Sequence, residues 1–402
     1  MHDATFERAR ALFFEGNALL EAGACREAER RFEAALALVP GRVSILVNLG
    51  AARVGGGRHA EALAALDQAL EHVPDDLEAW SHRGVALAGL GRHAEALDCH
   101  DRVLARAPER AANWLRRGEA LQCLERPREA LDAYERALTL DPTLAQAWSQ
   151  RGGILRDAGR LAEAAHAFEQ ALAHGGDRSL NGYYLAAATG RAAPASAPQP
   201  YVEAFFDEYA PTFEHHLVGL LGYRAPQTLV GQLTARAPRR WRSALDLGCG
   251  TGLCGRLLRP LADRLVGVDL SARMLEQARS RGVYDELVQA DIAAHLAATP
   301  DRHDLVVATD VFIYVGDLAA AIAGAARALE AGGWLAFTAE AAADDDAAFV
   351  LLPSLRYAHG ERSLRRLAAD HGFAVEQLLR APLREDQGRP VEGLYALWRR
   401  GP

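Results

Sequence analysis

The sequence predicts two folds in series, an all-α superhelix of repeated helix pairs and then an α/β domain on a doubly wound sheet. Three observations predict this. Residues recur at a fixed 34-residue period through the first half. A stretch with Pro194, Pro198 and Pro200 among Ala and Ser then intervenes. After it, short apolar strands alternate with helical segments, and acidic residues close consecutive strands. At 402 residues the chain has room for two or three domains, and its 50% hydrophobic content is ample for packed cores.

The repeat explains the first half. Gly16, Gly50, Gly84, Gly118 and Gly152 stand 34 residues apart, as do Pro40, Pro74, Pro108 and Pro142, and Ala28, Ala62, Ala96, Ala130 and Ala164. Trp80, Trp114 and Trp148 keep the same period. A glycine lets helix A of a pair approach helix B closely, Phe32, Tyr134 and Phe168 fill the space between helices, and the proline ends helix B. The pattern resembles the tetratricopeptide repeat. Five repeats cover about residues 9–178, and 179–189 is expected as a solvating cap helix, making 1–189 the repeat domain. Such repeats stack into a superhelix with a concave groove, which implies a protein or peptide partner. Groove positions Asn17, Glu78, Ser81, Glu119, Gln122, Gln146 and Arg156 are mixed in character, with no basic set to clamp a chain-terminal carboxylate. Residues 190–200 are expected as a semi-rigid linker, and 201–402 as the second domain.

In the second half an apolar strand runs into Asp246 and then a turn with Gly248, Gly250 and Gly252, followed by a helix from Leu253. Alternate glycines let backbone pass close to a ligand. Gly250-Thr-Gly252-Leu-Cys-Gly255 also satisfies the dinucleotide pattern G-x-G-x-x-G. A carboxylate two residues before the first glycine would repel a pyrophosphate. It suits an ammonium, such as the amino-acid end of S-adenosylmethionine. A second strand, 264–269, ends in Asp269, placed to accept ribose hydroxyls. Ser271 caps the next helix, whose Leu270 and Met274 face the cofactor. A third strand leads to Asp291 and Ile292, a fourth to Asp310, and a fifth ends at Glu340.

This series resembles the class I S-adenosylmethionine-dependent methyltransferases along residues 200–400. The resemblance implies a Rossmann-like, seven-stranded sheet with its last strand antiparallel, the tail 373–379 and 394–398 forming the last pair. It also implies that Asp291 accepts from the adenine amino group and that Ile292 packs on the ring. The segment FFDEYAPTFEHHLVGLLGYRAP, with Arg356-Tyr357-Ala-His359 and Pro390-Val-Glu-Gly393, is similar to bacterial predicted methyltransferases carrying tetratricopeptide repeats. Phe205, Tyr209 and Phe213 share a helical face there, and in such enzymes this segment folds over the cofactor as a lid. Tyr209 is expected to cover the methionine end.

Methyl transfer from a sulfonium asks the protein mainly to position the acceptor. An O–H or N–H acceptor needs a base as well. Candidates are Tyr314, His359, Asp310 and Tyr357, with His215 and His216 in the lid. After the fourth strand the chain reads Asp310-Val-Phe-Ile-Tyr314, with neither a Pro-Pro-aromatic turn nor a Pro-Cys nucleophile, which argues against DNA base methylation.

Net charge is −8 with no basic block, which argues against nucleic acid as the main partner. Lysine does not occur, so no lysine base or Schiff base is available. Cys25, Cys99, Cys123, Cys249 and Cys254 form no C-x-x-C pair and no metal spacing, as expected of reduced thiols in a cytoplasm. No leader or membrane-length apolar run is evident. The sequence thus points to a cytoplasmic methyltransferase whose repeats recruit a protein, peptide or carrier-bound substrate. Two alternatives stand: a small-molecule methyltransferase with repeats used only for assembly, and a scaffold that binds the cofactor without catalysis.

Overall fold

A computed structural model describes residues 2–191, 193–386 and 388–402, in two compact units, 1–176 and 177–402. The first unit is a run of antiparallel helix pairs: α1 (His2–Glu21) with α2 (Cys25–Leu38), α3 (Val43–Gly55) with α4 (His59–His72), α5 (Leu77–Gly89) with α6 (His93–Arg106), α7 (Ala111–Cys123) with α8 (Pro127–Leu140), and α9 (Ala145–Asp157) with α10 (Leu161–Ala173).

The period has a direct steric cause. A Cβ added at Gly16, Gly50, Gly84, Gly118 or Gly152 would lie 2.4–2.6 Å from the side chain sixteen residues on, which is Phe32, Leu66, His100, Tyr134 or Phe168. Helix B thus presses a large side chain onto bare backbone of helix A in every pair. The tryptophans keep the pairs in step: Nε1 of Trp80, Trp114 and Trp148 donates to the carbonyl of Pro74, Pro108 and Pro142, each at 2.8 Å. Arg83, Arg117 and Arg151 lie over the same indoles and pair with Asp67, Asp101 and Glu135. Groove residues bond along the array, Asn48 to Asn17, Asn113 to Ser81 and Gln146 to Glu119.

The second unit opens with α11 (Arg178–Thr189), α12 (Gln199–Tyr209), a π-helical turn at His215–Leu220 and α13 (Ala225–Arg236). The sheet follows: β1 (Trp241–Leu247), α14 (Leu253–Leu258), β2 (Ala262–Asp269), α15 (Ala272–Ser280), β3 (Glu286–Gln289), α16 (Ile292–Ala298), β4 (His303–Ala308), α17 (Ala319–Ala328) and β5 (Leu329–Ala341). After these come β6 (Val350–Leu351), β7 (Tyr357–His359), α18 (Glu361–Asp370), β8 (Phe373–Asp386) and β9 (Arg389–Arg400). Strand order is β3-β2-β1-β4-β5-β7-β6, with β9 antiparallel to β5 and β8 antiparallel to β9. Among the described residues the sheet has nine strands rather than seven, because the short β6 and β7 extend it beside the end of β5. Apolar residues of β1 bury both faces, Leu245 and Leu247 in one cluster and Ala244 in the other, as parallel strands between helix layers require.

Two expected boundaries move. The helix expected to cap the repeats, α11, belongs to the second unit. Its Tyr183 is fully buried with Leu351, Leu355 and Tyr357, and its hydroxyl donates to the Leu355 carbonyl at 2.5 Å. The expected linker is docked rather than free. Ser196 bridges Val315, Ala197 N–H donates to the Tyr314 carbonyl, and Gly316 and Asp317 donate to the Ala195 carbonyl. Proline stiffness misread this segment because its partners lie more than a hundred residues away. Ala192 of that stretch lies outside the described residues.

Gly152 and Gly153 are neighbours in α9 and make an internal control. A Cβ at Gly152 would meet Phe168 at 2.5 Å, and one at Gly153 would meet nothing within 4 Å. Gly152→Ala should destabilise the repeats by about 1–3 kcal/mol. Gly153→Ala should be neutral or stabilising by up to about 1 kcal/mol. Denaturant unfolding followed by circular dichroism tests the contrast, and equal effects would refute the steric account.

Candidate functional site

The site lies beyond the carboxyl ends of the parallel strands, where β1 hands over to β2 on one side and β4 on the other. A cavity of about 930 Å³ opens there. The turn after β1 holds three glycines with positive φ, Gly248 at 61°, Gly250 at 53° and Gly252 at 89°. Gly248 is required twice, since a Cβ there would also strike Val311 at 2.3 Å. At Gly250 a Cβ would meet nothing within 4 Å, so this turn faces open space.

Asp269, at the end of β2, organises the turn. Its Oδ2 accepts from Gly250 N–H at 2.8 Å and its Oδ1 from Ser271 N–H at 2.9 Å. Burial pushes its pKa up, and those two N–H groups hold it back. Ser271 caps α15, accepting from Met274 N–H at 3.1 Å. Asp291 caps α16 by accepting from Ala294 N–H at 2.9 Å. Gly248, Gly250, Asp269, Leu270, Met274, Asp291 and Ile292 all line the cavity.

Asp246 requires a correction. Its carboxylate is fully buried in the fold and does not line the cavity. Oδ2 accepts from the Tyr284 hydroxyl at 2.7 Å, and Oδ1 is buried without a partner. Burial lifts its pKa to about 7, with the Tyr284 hydrogen bond opposing and Asp269 adding to the rise. An exposed anion meeting an ammonium is therefore not what this residue presents. It anchors Tyr284, which packs beneath Gly255 and Gly267.

The 201–217 segment forms one wall. Phe205, Tyr209 and Phe213 line the cavity with successive ring centroids 5.6 and 5.2 Å apart. Among the described residues of α12 none is buried, so this helix is not core. Polar tethers hold it. Ser271 Oγ donates to Asp207 at 2.5 Å, Gln277 to the Ala210 carbonyl at 2.7 Å, and Thr251 Oγ1 to Glu214 at 2.5 Å. Arg281 bridges Glu214 and the Thr251 carbonyl. The Tyr209 hydroxyl is hydrogen-bonded to His216 Nδ1. Sequence reasoning missed Asp207 and Glu214, which look like ordinary solvated acids on a helix.

Beyond β4 and β5 the expected bases change character. Tyr314 lines the cavity, and burial pushes its pKa up. Asp310 sits on the wall in a left-handed backbone conformation, φ 59°. Its Oδ2 accepts from Arg384 at 2.7 Å, and its Oδ1 is sealed from solvent. Arg384 also donates to Glu340, forming a buried acid–arginine–acid cluster at the cavity. Asp310 is thus committed to an ion pair rather than free as a base. His359 and Tyr357 are buried and do not line the cavity. His359 Nε2 donates to the Val315 and Gly316 carbonyls at 3.1 and 3.0 Å, and burial lowers its pKa to about 4. Tyr357 donates to the Pro194 carbonyl at 2.9 Å. Both brace the docked 193–198 stretch and the turn it pairs with. Arg356 was read only as part of the Arg356-Tyr357-Ala-His359 resemblance, without a role, and Arg384 was missed, since single arginines in a chain with 45 of them carry no signal. Among the described residues, no group of three or more His, Cys, Asp or Glu is arranged to hold a metal, and no helix is long and apolar enough to cross a membrane.

Known proteins share these features. A methyltransferase-domain family model matches residues 245–337, and tetratricopeptide models match 19–84, 75–143 and 115–179. The malonyl-[acyl-carrier protein] O-methyltransferase of Enterobacter lignolyticus (strain SCF1) is 36% identical over 181 residues, 43% of this chain and 67% of that protein. The ubiquinone biosynthesis O-methyltransferase of Thiobacillus denitrificans is 34% identical over 26% of this chain and 46% of its own length. The trans-aconitate 2-methyltransferase of Paracidovorax citrulli is 36% identical over 34% of this chain and 49% of its own length. The chain therefore spans about half of these last two. A solved structure, magnesium protoporphyrin IX methyltransferase from Synechocystis PCC 6803 with bound SAH, matches at 18% identity and TM-score 0.40, covering 50% of this chain and 99% of that one. The chain belongs to the class I S-adenosylmethionine-dependent methyltransferases, as a member that carries tetratricopeptide repeats. S-adenosylmethionine is its cofactor. The residues present fit that group: an open glycine turn, an acid at the end of β2, and the apolar side chains of Leu270, Met274 and Ile292 beside Asp291.

The burial of His359 has a pH signature. His359 has its folded pKa depressed to about 4 from an ordinary 6.5. Its contribution is complete above pH 6.5 and is lost as pH falls through about 4. That difference amounts to roughly 3 kcal/mol. The stability advantage of the protein over His359→Gln should shrink across that interval. Ring-proton NMR should show His359 neutral above pH 5, and titration near 6.5 would contradict its placement.

Proposed function

We propose that this methyltransferase acts on a carrier-bound, peptide or protein acceptor that the repeat unit recruits. One observation carries the catalytic part: a single cavity is walled by the glycine turn and the acids at the ends of β2 and β3 on one side, and by Tyr314 and Arg356 on the other. When bound, the cofactor supplies a methyl group activated by a sulfonium. Asp269 keeps lone pairs for the ribose hydroxyls, Asp291 and Ile292 meet the adenine, and Leu270 and Met274 cover its face. Tyr209 closes over the methionine end and excludes water, and Tyr314 positions the acceptor. The cavity's capacity lets an extended acceptor lie beside the cofactor. Recruitment draws support from the relative named for an acyl-carrier-protein substrate and from repeats of a type that binds peptides. The trans-aconitate relative favours a second reading, a small free acceptor with the repeats serving assembly. A cytoplasmic location fits either reading.

The cofactor assignments are tested by calorimetry with S-adenosylhomocysteine on the full chain. Asp269→Ala should weaken binding by about 1–3 kcal/mol. Hydrogen exchange across residues 201–217 should slow on adding the ligand, because closure draws stability from it. Equal exchange in both states would leave that segment a fixed wall.

Recruitment is tested by kinetics. Replacing Glu78 and Glu119 by Arg should raise KM for a carrier-bound acceptor tenfold or more, with kcat and S-adenosylhomocysteine affinity unchanged. An unchanged KM would support the second reading.

A further inference from the structure

The cavity's acceptor half holds a cation with donors to spare. Arg356 lies between β6 and β7, and β7 pairs with the end of β5 at Glu340–Ala358. It therefore stands on the β4–β5 side of the sheet, opposite the β1–β3 side that carries the glycine turn, Asp269 and Asp291. Its side chain is about a quarter exposed and lines the cavity. Among the described residues its hydrogen bond goes to Asp386, from Nη1 at 3.3 Å, while Nε stands 4.0 Å from Glu340. A guanidinium has five N–H donors, so most remain for a ligand. The neighbouring Arg384 is different, being buried and ion-paired with both Asp310 and Glu340. Tyr314 lies within the field of Arg356 and lines the same cavity.

Most of the expected bases on that side are committed elsewhere. Asp310 is paired and sealed, His359 and Tyr357 are outside the cavity, and His216 is bound to Tyr209. An acceptor that had to lose a proton would have to turn to the 201–217 wall, where Glu208 and His216 also line the cavity. A carboxylate needs no base, because it is already an anion at neutral pH.

We infer that Arg356, with the Tyr314 hydroxyl, forms a carboxylate subsite, and that the methyl acceptor is a carboxylic acid methylated on oxygen. The inference rests on the methyltransferase reading above. A carboxylate oxygen donates a lone pair to the methyl carbon, and the carbon–sulfur bond breaks with its pair passing to sulfur. A methyl ester and S-adenosylhomocysteine result, and no proton is transferred. A guanidinium holding one carboxylate oxygen fixes the other for in-line attack. The rest of the acceptor runs along Phe205, Phe206, Phe213 and Leu217, which calls for an apolar chain or ring behind the carboxylate.

Binding to the full chain, saturated with S-adenosylhomocysteine, tests this with three probes of one shape: octanoate, octanol and octylamine. Calorimetry at pH 7 should show octanoate binding at least tenfold tighter than either of the others. Arg356→Met should remove that preference, Arg356→Lys should restore part of it, and both variants should bind S-adenosylhomocysteine as the parent does. Octanol or octylamine binding as well as octanoate would overturn the inference. So would a preference that survives in Arg356→Met. Loss of S-adenosylhomocysteine affinity in Arg356→Met alone would place Arg356 at the cofactor's own carboxylate and overturn it too. Failure of the parent chain to bind S-adenosylhomocysteine would instead fault the cofactor reading itself.

Discussion

The carboxylate of Asp269 joins the two turns on which the catalytic unit depends. Each oxygen takes one backbone N–H, Gly250 from the turn after β1 and Ser271 from the turn after β2. The turn after β1 must adopt left-handed backbone at three places, a conformation without strong local preference even for glycine. A charge-assisted bond from the neighbouring strand end selects one arrangement. Ser271 then passes the constraint on, through Asp207, to the wall that closes the cavity. Strand order, glycine turn and the 201–217 wall are thus connected through a single side chain.

The two walls of the cavity are built on different physics. The β1–β3 side uses backbone donors, capped helices and apolar side chains, with acids whose charge is met by N–H groups. The β4–β5 side uses a buried cluster in which Arg384 joins Asp310 and Glu340. Burying such a cluster gives little net stability, because desolvation offsets attraction. It does fix shape: Asp310 is held in left-handed backbone, with its N–H on Thr338 Oγ1 at 2.9 Å. Arg356 is less fully paired, with one hydrogen bond to Asp386 at 3.3 Å.

Both folds were legible in the sequence because each follows from local chemistry at fixed spacing. The repeat glycines mark sites where a Cβ cannot fit, and that constraint recurs every 34 residues. Here the partner is free to vary, as Leu66 and His100 take the place of an aromatic ring. Asp269, Asp291 and Asp310 were legible as strand-end acids of one site, and they line one cavity. Their individual surroundings were not. Asp246 turns inward to Tyr284, 38 residues away, and nothing near it in the chain reports that choice. His359 and Tyr357 have the chemistry of bases, but their hydrogen bonds reach 43 and 163 residues along the chain to carbonyl oxygens. Arg356 and Arg384 take their meaning from a packing arrangement that composition cannot signal.

The cations of this chain's ion pairs are arginines, from the Arg92–Glu95 type at the repeat turns to the buried Arg384. A guanidinium does not give up its proton in any solution the fold would survive. Alkali therefore cannot dissolve these pairs by titration, as it would with ammonium groups. The side chains are equally blind to acetyl donors, ubiquitin ligases and amine-directed cross-linkers. Control of this molecule by modification would have to act through groups other than a lysine amine.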